Sequence, residues 1–429
     1  MTRVALINPN WTFDGSIYFG CRSPHLPLEL GISEHLLREA GHATLLLDAH
    51  MFDLTPSDIL AELVTFRPDM IVLTTAPTYL FWRCAPPELR VPQELVSTLR
   101  ESGATLIAVG PHGSTTPRAT LRKLGVDIVV MGECEQAVRR LAAGERGFSG
   151  LCFADADGAI RIHGGPLAAS FIDQPALQWP AEMIRRHEHH HHRFEASPAG
   201  PGAEVEASRG CPYHCTFCAK DNFRNAYRKR PAAVILHEID DLLTQGVEYV
   251  YFVDEIFLPN PELLQGLVGR GLKFGVQTRI DLWKPEMLAL LGRAGCVSIE
   301  AGIESLSPEG RAALAKNCRM TTEQLAERLV EARRHVPFVQ ANLIEMPQDD
   351  DPVVQRWRQR MQDAGVWAND PVPLYPYPGS PDYQKLWGTP DDQAWERAHA
   401  HYLTLFNQFS DVQNARPVPL AALEMQVAR

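Results

Sequence analysis

Short apolar runs alternate along the chain with stretches whose apolar positions recur every three or four residues. Val4–Ile7 is the first such run, closed by Asn8-Pro9-Asn10. Leu28–Ala40 then carries helical spacing and stops at Gly41. Thr44–Leu47 ends at Asp48, Ile59–Phe66 reads as helix, and Pro68-Asp69 turns into Met70–Leu73. Glu94–Glu101 is helical, followed by Thr105–Val109; Leu121–Leu124 leads to Ile128–Met131, and Glu135–Ala142 is a last helix. Apolar runs of strand length separated by helices predict a parallel sheet covered on both faces.

That pattern makes residues 1–148 a Rossmann-like α/β domain. Residues 149–203 break the rhythm. They hold two minor strands, Gly150–Phe153 and Ile160–His163, then prolines, a histidine run and Ser197-Pro-Ala-Gly-Pro-Gly, and so read as a linker with a small hairpin. From residue 204 the alternation resumes. Strands are expected at Glu204–Ala207, Tyr249–Val253, Phe274–Thr278, Ser298–Ala301, Val339–Ile344 and Pro373–Tyr377. Helices are expected at Ala232–Gln245, Pro261–Arg270, Pro285–Ala294, Thr322–His335 and Pro352–Ala364. Six βα units over 204–385 predict a partial (β/α)6 barrel, short of a closed eight-fold one. A helical tail, 386–429, places Trp395, His399, Tyr402, Phe406 and Phe409 on one face of a helix over about Asp391–Phe409, docked on the barrel.

Composition narrows the function classes. Forty-one Lys and Arg against 52 Asp and Glu give a net charge of −11, which disfavours a phosphate backbone as partner. No run approaches the roughly 18 apolar residues of a membrane helix. The opening residues do not read as a signal peptide. The expectation is a cytoplasmic protein, and its nine cysteines are then reduced thiols rather than a disulfide framework.

Six cysteines are scattered, and three are clustered in Cys211-Pro-Tyr-His-Cys215-Thr-Phe-Cys218, at the end of the first strand of the second domain. Three thiolates in an eight-residue loop suit one metal centre. Structural zinc needs a fourth ligand, for which only His214 is at hand. A 4Fe–4S cluster on three cysteines leaves one iron without a protein ligand.

The CxxxCxxC spacing with Phe217 before the last cysteine resembles the cluster loop of the radical S-adenosylmethionine (SAM) superfamily. Val253-Asp254-Glu255 resembles the acidic turn where that family meets the methionyl amine. Gln277-Thr-Arg279-Ile-Asp281 with Pro285…Cys296, Gly302-Ile-Glu304-Ser305 and Tyr375-Pro-Tyr-Pro378-Gly-Ser-Pro381 resemble its later strand motifs in order. By that resemblance Cys211, Cys215 and Cys218 hold the cluster, and Asp254, Glu255, Arg279 and Glu304 contact SAM. As solvated or capping groups, the acids and Arg279 have simpler readings; Ser305 or Ser307 would cap the helix Pro308–Ala315.

The first domain resembles the cobalamin-binding domain found upstream of many such barrels, through Leu26-Pro-Leu-Glu-Leu-Gly31…Gly41-His…Leu47-Asp48 and Val109-Gly110-Pro111-His112…Met131-Gly132-Glu133. Thr74, Thr75, Gly110, Pro111, His112, Gly132 and Glu133 are its expected cofactor-binding residues. The Asp-x-His-x-x-Gly segment that ligates cobalt in other cobalamin domains is replaced here by Asn8-Pro-Asn-Trp-Thr-Phe, so no histidine ligand is expected. The aromatic loop Thr78–Cys84 roofs a corrin or packs on the neighbouring domain.

The resemblance implies cofactors (4Fe–4S cluster, SAM, cobalamin) and a reaction. A 5′-deoxyadenosyl radical abstracts hydrogen from an unactivated carbon, and methylcobalamin methylates the resulting radical. It implies a small-molecule or peptide substrate and a one-electron reductant such as flavodoxin or ferredoxin. Cyclisation or rearrangement without methyl transfer or without bound cobalamin is one alternative. A non-catalytic cobalamin- or redox-responsive binding protein is another. His187-Glu-His-His-His-His192 reads as a solvated linker segment, with metal binding as the competing reading.

Overall fold

A computed structural model of the chain describes residues 1–11, 24–78, 85–168, 174–187, 200–220, 224 and 226–405. Every apolar run of the first half joins one sheet: β1 (Arg3–Asn8), β2 (Ala43–Asp48), β3 (Met70–Thr74), β4 (Thr105–Val109), β5 (Ile128–Val130), β6 (Leu151–Ala154) and β7 (Ile160–His163). The strand order is β2-β1-β3-β4-β5-β6-β7. The first five are parallel, as their near-continuous apolar character requires. β6 and β7 are antiparallel and extend the same sheet through the β5–β6 pairing. The hairpin expected as part of a linker is therefore the edge of the first sheet. The alternating pattern of Ile160–His163, half exposed, fits an edge position.

The second sheet begins with β8 (Gly202–Val205). It is followed by a short antiparallel pair, β9 (Ser208–Arg209) with β10 (Arg228–Lys229), and by β11 (Tyr249–Phe252), β12 (Lys273–Thr278), β13 (Cys296–Glu304), β14 (Phe338–Leu343) and β15 (Trp367–Ala368). The sheet runs β15-β14-β13-β12-β11-β8, all parallel, with β8 and β15 at its edges. This is the partial barrel that six βα units predict. Its sixth strand lies earlier than expected. β15 pairs at Trp367 and Ala368, and Val372 makes a single bridge to Ile344. Pro373–Tyr377 is not a strand, because Pro371, Pro373, Pro376 and Pro378 cannot donate to a ladder.

Helices form where caps and spacing allow. Thr55 with Asp58 and Thr321 with Gln324 make capping boxes for Pro56–Phe66 and Thr322–His335. The helix Leu28–Glu39 serves both cores. Leu30 and Leu37 pack under the first sheet, whereas Leu28 and Ile32 join the barrel core with Leu177, Trp179, Met183 and Ile184. Gly31 lets the Trp179 ring approach, since a Cβ there would lie 2.5 Å from it. Residues 174–187 thus contribute core to the barrel rather than merely linking it.

The last described helix is Ala394–Leu405. Phe406 and Phe409 lie outside the described residues. Tyr402 packs with Tyr375 and Tyr383, but Trp395 reaches the first sheet instead of the barrel. Its ring sits 4.8 Å from that of His112, and its Nε1 donates to Thr116 Oγ1 at 3.2 Å. Lys123–Glu396 and Arg122–Asp392 ion pairs flank it. The helix expected to dock on the barrel packs on the barrel end through Tyr402 and also clasps the first domain through Trp395. No described helix is long and apolar enough to cross a membrane.

Trp395→Ala removes a buried ring and the Thr116 bond together. A loss of about 3–5 kcal/mol, the usual range for a buried Trp→Ala change, is expected in urea unfolding. A loss below about 1 kcal/mol would mean that the clasp is not formed in solution.

Candidate functional site

The three clustered cysteines lie in the loop between β9 and β10 and are half-buried. Gly210 opens it with φ +80°; a Cβ there would lie 2.2 Å from the Ala226 carbonyl oxygen. The Cys218 amide donates to the Cys215 carbonyl at 3.2 Å, curling the loop. Thr216 ties it to two other elements: its N–H donates to Leu314 O at 3.1 Å and its carbonyl accepts from Asp382 N at 2.9 Å. His214 is exposed. Thiolates on a single zinc lie about 3.8 Å apart, from Zn–S bonds of about 2.3 Å. Among the described residues, the one set of three ligand atoms all within 4.8 Å of one another is elsewhere, at His25, His187 and Glu204. Burial raises the Cys215 thiol, while Lys316 and Arg279 pull it back toward the thiolate.

The acidic residues around this loop have structural partners. Asp254 follows β11, and its Oδ1 accepts from Ala207 N at 2.8 Å while Oδ2 accepts from the Ser208 hydroxyl. Burial pushes its carboxyl up to about 8. Glu255 accepts from Gly210 N at 2.7 Å and pairs with Arg224 at 3.0 Å. The turn expected to meet SAM therefore also anchors the base of the cysteine loop.

Glu304 ends β13 with φ +65°, an unfavourable region for a residue with a Cβ, at a register shift between Gly302 and Glu304. Its carboxylate lies beside Gly302 and pairs with Lys316 at 2.6 Å. It does not serve as a helix acid; Ser307, not Ser305, caps the helix Pro308–Ala313 through Gly310 N. Arg279 lies over the Tyr213 ring at 4.1 Å, inside the cysteine loop, and is held by Asp281 at 2.8 Å.

On the first sheet the expected cofactor residues gather at the carboxyl ends of the strands. The order β2-β1-β3-β4-β5 reverses between β1 and β3, the crevice where open α/β sheets bind ligands. Asn8, Asp48 and Thr74 line it: Asn8 Nδ2 donates to Asp48 Oδ1 at 2.9 Å, and Trp11 Nε1 donates to Asn8 Oδ1 at 2.9 Å. Burial pushes Asp48 up to about 7. Gly110 has φ +135° and abuts Thr75, whose hydroxyl is 3.2 Å from His112 Nδ1; Nε2 of that ring is 2.6 Å from Pro86 O. His112 is thus locked between Thr75, Pro86 and Trp395, and burial lowers it to about 4, so it stays neutral. Pro111 starts the short helix Pro111–Thr115. Gly132 abuts Leu167, and its N–H donates to Ser114 Oγ at 2.8 Å. Of the aromatic loop only Thr78 is described; 79–84 lie outside the described residues.

Glu133 leads to what the sequence did not reveal. It meets Arg209 at 3.3 Å and Arg228 at 3.0 Å, both on the strands flanking the cysteine loop. Arg209 is fully buried. It also holds Glu135 at 2.8 Å and both oxygens of Glu206 at 3.0 and 2.7 Å. Arg224 joins Glu206 and Glu255 to Glu29 of the helix Leu28–Glu39, each at 2.9–3.0 Å. Burial raises Glu206 and Glu133, but the arginines outweigh it and hold both below the usual range. Burial wins at Glu29, which is raised and accepts from the Thr78 hydroxyl. A sequence signal existed: Glu204, Glu206 and Arg209 are charges where the pattern demands a buried strand.

Residues 205–355 match the family model of the radical SAM superfamily, and residues 22–142 that of the B12 binding domain. The chain thus carries a B12 binding domain followed by a radical SAM domain. It is 24% identical to an uncharacterized methyltransferase of Pyrococcus horikoshii over 66% of this chain and 61% of that protein. It is 27% identical to the anaerobic magnesium-protoporphyrin IX monomethyl ester cyclase of Cereibacter sphaeroides over 71% of this chain and 50% of that one. The chain thus spans between half and two thirds of these relatives. The solved structure of the radical S-adenosylmethionine methyltransferase TsrM from Kitasatospora setae has the same fold, with TM-score 0.70, 19% identity, and coverage of 89% of this chain and 74% of that one.

Removing Arg209 strands buried carboxylates. Arg209→Ala is expected to cost at least about 3 kcal/mol in chemical unfolding, and Arg209→Lys to recover little of it, because one ammonium cannot replace the planar fork. Asp48 sets a pH dependence. Its folded value lies near 7, above the unfolded 3.8, so its contribution is complete below about pH 4 and is lost as pH rises through 7. Asp48→Asn should flatten the decline in stability across pH 4–7, a slope of at most about 1.4 kcal/mol per pH unit. An unchanged slope in the variant would place the titrating group elsewhere.

Proposed function

We propose that this chain is a cobalamin-dependent radical SAM enzyme that methylates an unactivated carbon of a small-molecule or peptide biosynthetic intermediate. The observation that carries this reading is the buried Arg209–Glu133–Glu135 junction, which fixes the cysteine loop against the strand ends of the B12 binding domain. The two cofactor regions are held on one seam, as a radical made at one and a methyl group carried by the other require.

Cys211, Cys215 and Cys218 would hold the 4Fe–4S cluster. Asp254, Glu255, Arg279 and Glu304 would face SAM, and Thr74, Thr75, Gly110, Pro111, His112, Gly132 and Glu133 would face the corrin. When bound, these groups supply the one-electron chemistry and the transferable methyl. The chain's own residues position and shield. Lys316 and Arg279 bring positive charge to the Cys215 side. Asp254 and Glu255 fix the backbone at both ends of β9. The strained Glu304 backbone aims its carboxylate past Gly302. The buried ion pairs close the seam to water. An electron donor such as flavodoxin or ferredoxin, and a reducing cytoplasm, belong to the same reading. The likeness to the cyclase supports ring closure as a second outcome of the same radical.

The test is anaerobic reconstitution with iron, sulfide and hydroxocobalamin, followed by reduction with SAM present. Bound corrin absorbance and 5′-deoxyadenosine are expected from the wild type, and Cys215→Ala should reduce the product to background. Retained corrin with no SAM cleavage would make the protein a binding module. Cleavage with no corrin would remove the methyl-transfer reading.

A further inference from the structure

The histidine run does not behave as one solvated segment. His189–His192 lie outside the described residues, but His187, directly after the helix Ala181–Arg186, turns inward. Its Nε2 lies 2.8 and 2.7 Å from the two oxygens of Glu204 on β8. His25, just before the helix Leu28–Glu39, brings Nδ1 to 2.9 Å from Glu204 Oε1. Exposures are 4% for His25, 7% for His187 and 1% for Glu204. The rings are 5.9 Å apart and tilted by 58°, so they approach the carboxylate from different sides rather than stacking. One ligand atom from each residue lies within 4.8 Å of the other two.

We propose that His25, His187 and Glu204 form a binding site for a divalent transition-metal ion of the zinc class. Two imidazoles and one carboxylate are a donor set that borderline cations select; the hard ions Mg²⁺ and Ca²⁺ prefer oxygen alone. The carboxylate is oriented, with Leu26 N–H donating to Glu204 Oε2 at 3.1 Å, the outer-shell bond that metal-ligating carboxylates usually have. Bonds of about 2.0–2.1 Å set tetrahedral ligand atoms about 3.3 Å apart. The ion therefore enters by replacing the shared protons and widening the cluster by about half an ångström. Binding releases those protons to solvent, with no change of oxidation state.

The three ligands come from segments distant in sequence: the approach to the first shared helix, the chain leading into the barrel, and the first barrel strand. An ion here staples all three. Glu204 lies on β8 and Glu206 just beyond its end, so the staple sits two residues along the chain from the buried arginine junction. The site is separate from the cysteine loop, and the proposal does not depend on the function proposed above.

The experiment must separate this site from the neighbouring histidines and from the thiols. His189, His190, His191 and His192 are replaced together by serine in the full chain, and Zn²⁺ is the probe. Zinc per chain after gel filtration, zinc affinity by competition with a chromophoric chelator, and melting temperature are compared in that background with and without His25→Asn. The expected result is one additional equivalent of zinc in the parent, at least about 100-fold weaker affinity in His25→Asn, and a zinc-dependent rise in Tm in the parent alone. Equal zinc content and affinity in the two chains would overturn the proposal and leave a hydrogen-bonded clamp. Should His25→Asn fail to fold, Glu204→Gln takes its place. X-ray absorption of the zinc-loaded parent decides independently: two imidazoles with oxygen support the site, and sulfur ligation alone rejects it.

Discussion

The Arg209 guanidinium is the point on which this structure turns. It is wholly buried, and three glutamates from two sheets converge on it. A charge so placed is tolerable only if its donors are satisfied in a fixed geometry, and the planar fork of arginine imposes one. Glu133 and Glu135 follow β5 of the first sheet; Glu206 lies between β8 and β9 of the second. The two sheets cannot shift past each other without leaving a carboxylate or the guanidinium unpaired in a dry seam. Arg224 repeats the device one step along, taking in Glu29 and Glu255. Glu255 in turn receives the Gly210 amide, so the first peptide of the cysteine loop is tied to the same junction.

Apolar packing reinforces this on two other sides. The helix Leu28–Glu39 has no solvent stripe of the usual width, because its two faces feed two cores. At the opposite side of the first sheet Trp395 closes over His112. The electrostatic junction decides the register of the seam, and these contacts supply the non-directional burial around it. The consequence for the site is rigidity where chemistry would be exacting: a thiol loop pinned through Gly210 and Thr216, and a strained glutamate held by a lysine.

Legibility from the sequence follows the range of the interaction. The cysteine spacing and the alternation of strands and helices were readable, because each signal is complete within a few residues. The strand expected at Pro373–Tyr377 does not form, because its prolines cannot join a ladder, and Trp367–Ala368 takes that edge instead. The hairpin at Leu151–His163 was visible as strands but not as part of the first sheet, because its partner β5 lies some twenty residues earlier. Glu133 stands in a motif whose spacing announces a cofactor site but not its two arginine partners, Arg209 and Arg228, which lie 76 and 95 residues away. His187 belongs to a run whose composition predicts a solvated linker, and only the fold brings Glu204 and His25 to it.

The sequence alone determined which chemistry this protein can hold: a three-cysteine loop, a glycine-punctuated α/β sheet and a six-unit barrel, all written in local spacing and periodicity. The tertiary structure alone decided how these are joined. The partners of Arg209, Arg224 and His187 lie up to about two hundred residues away. Pairing of buried charges depends on which side chains share a dry volume, and chain spacing carries no record of that.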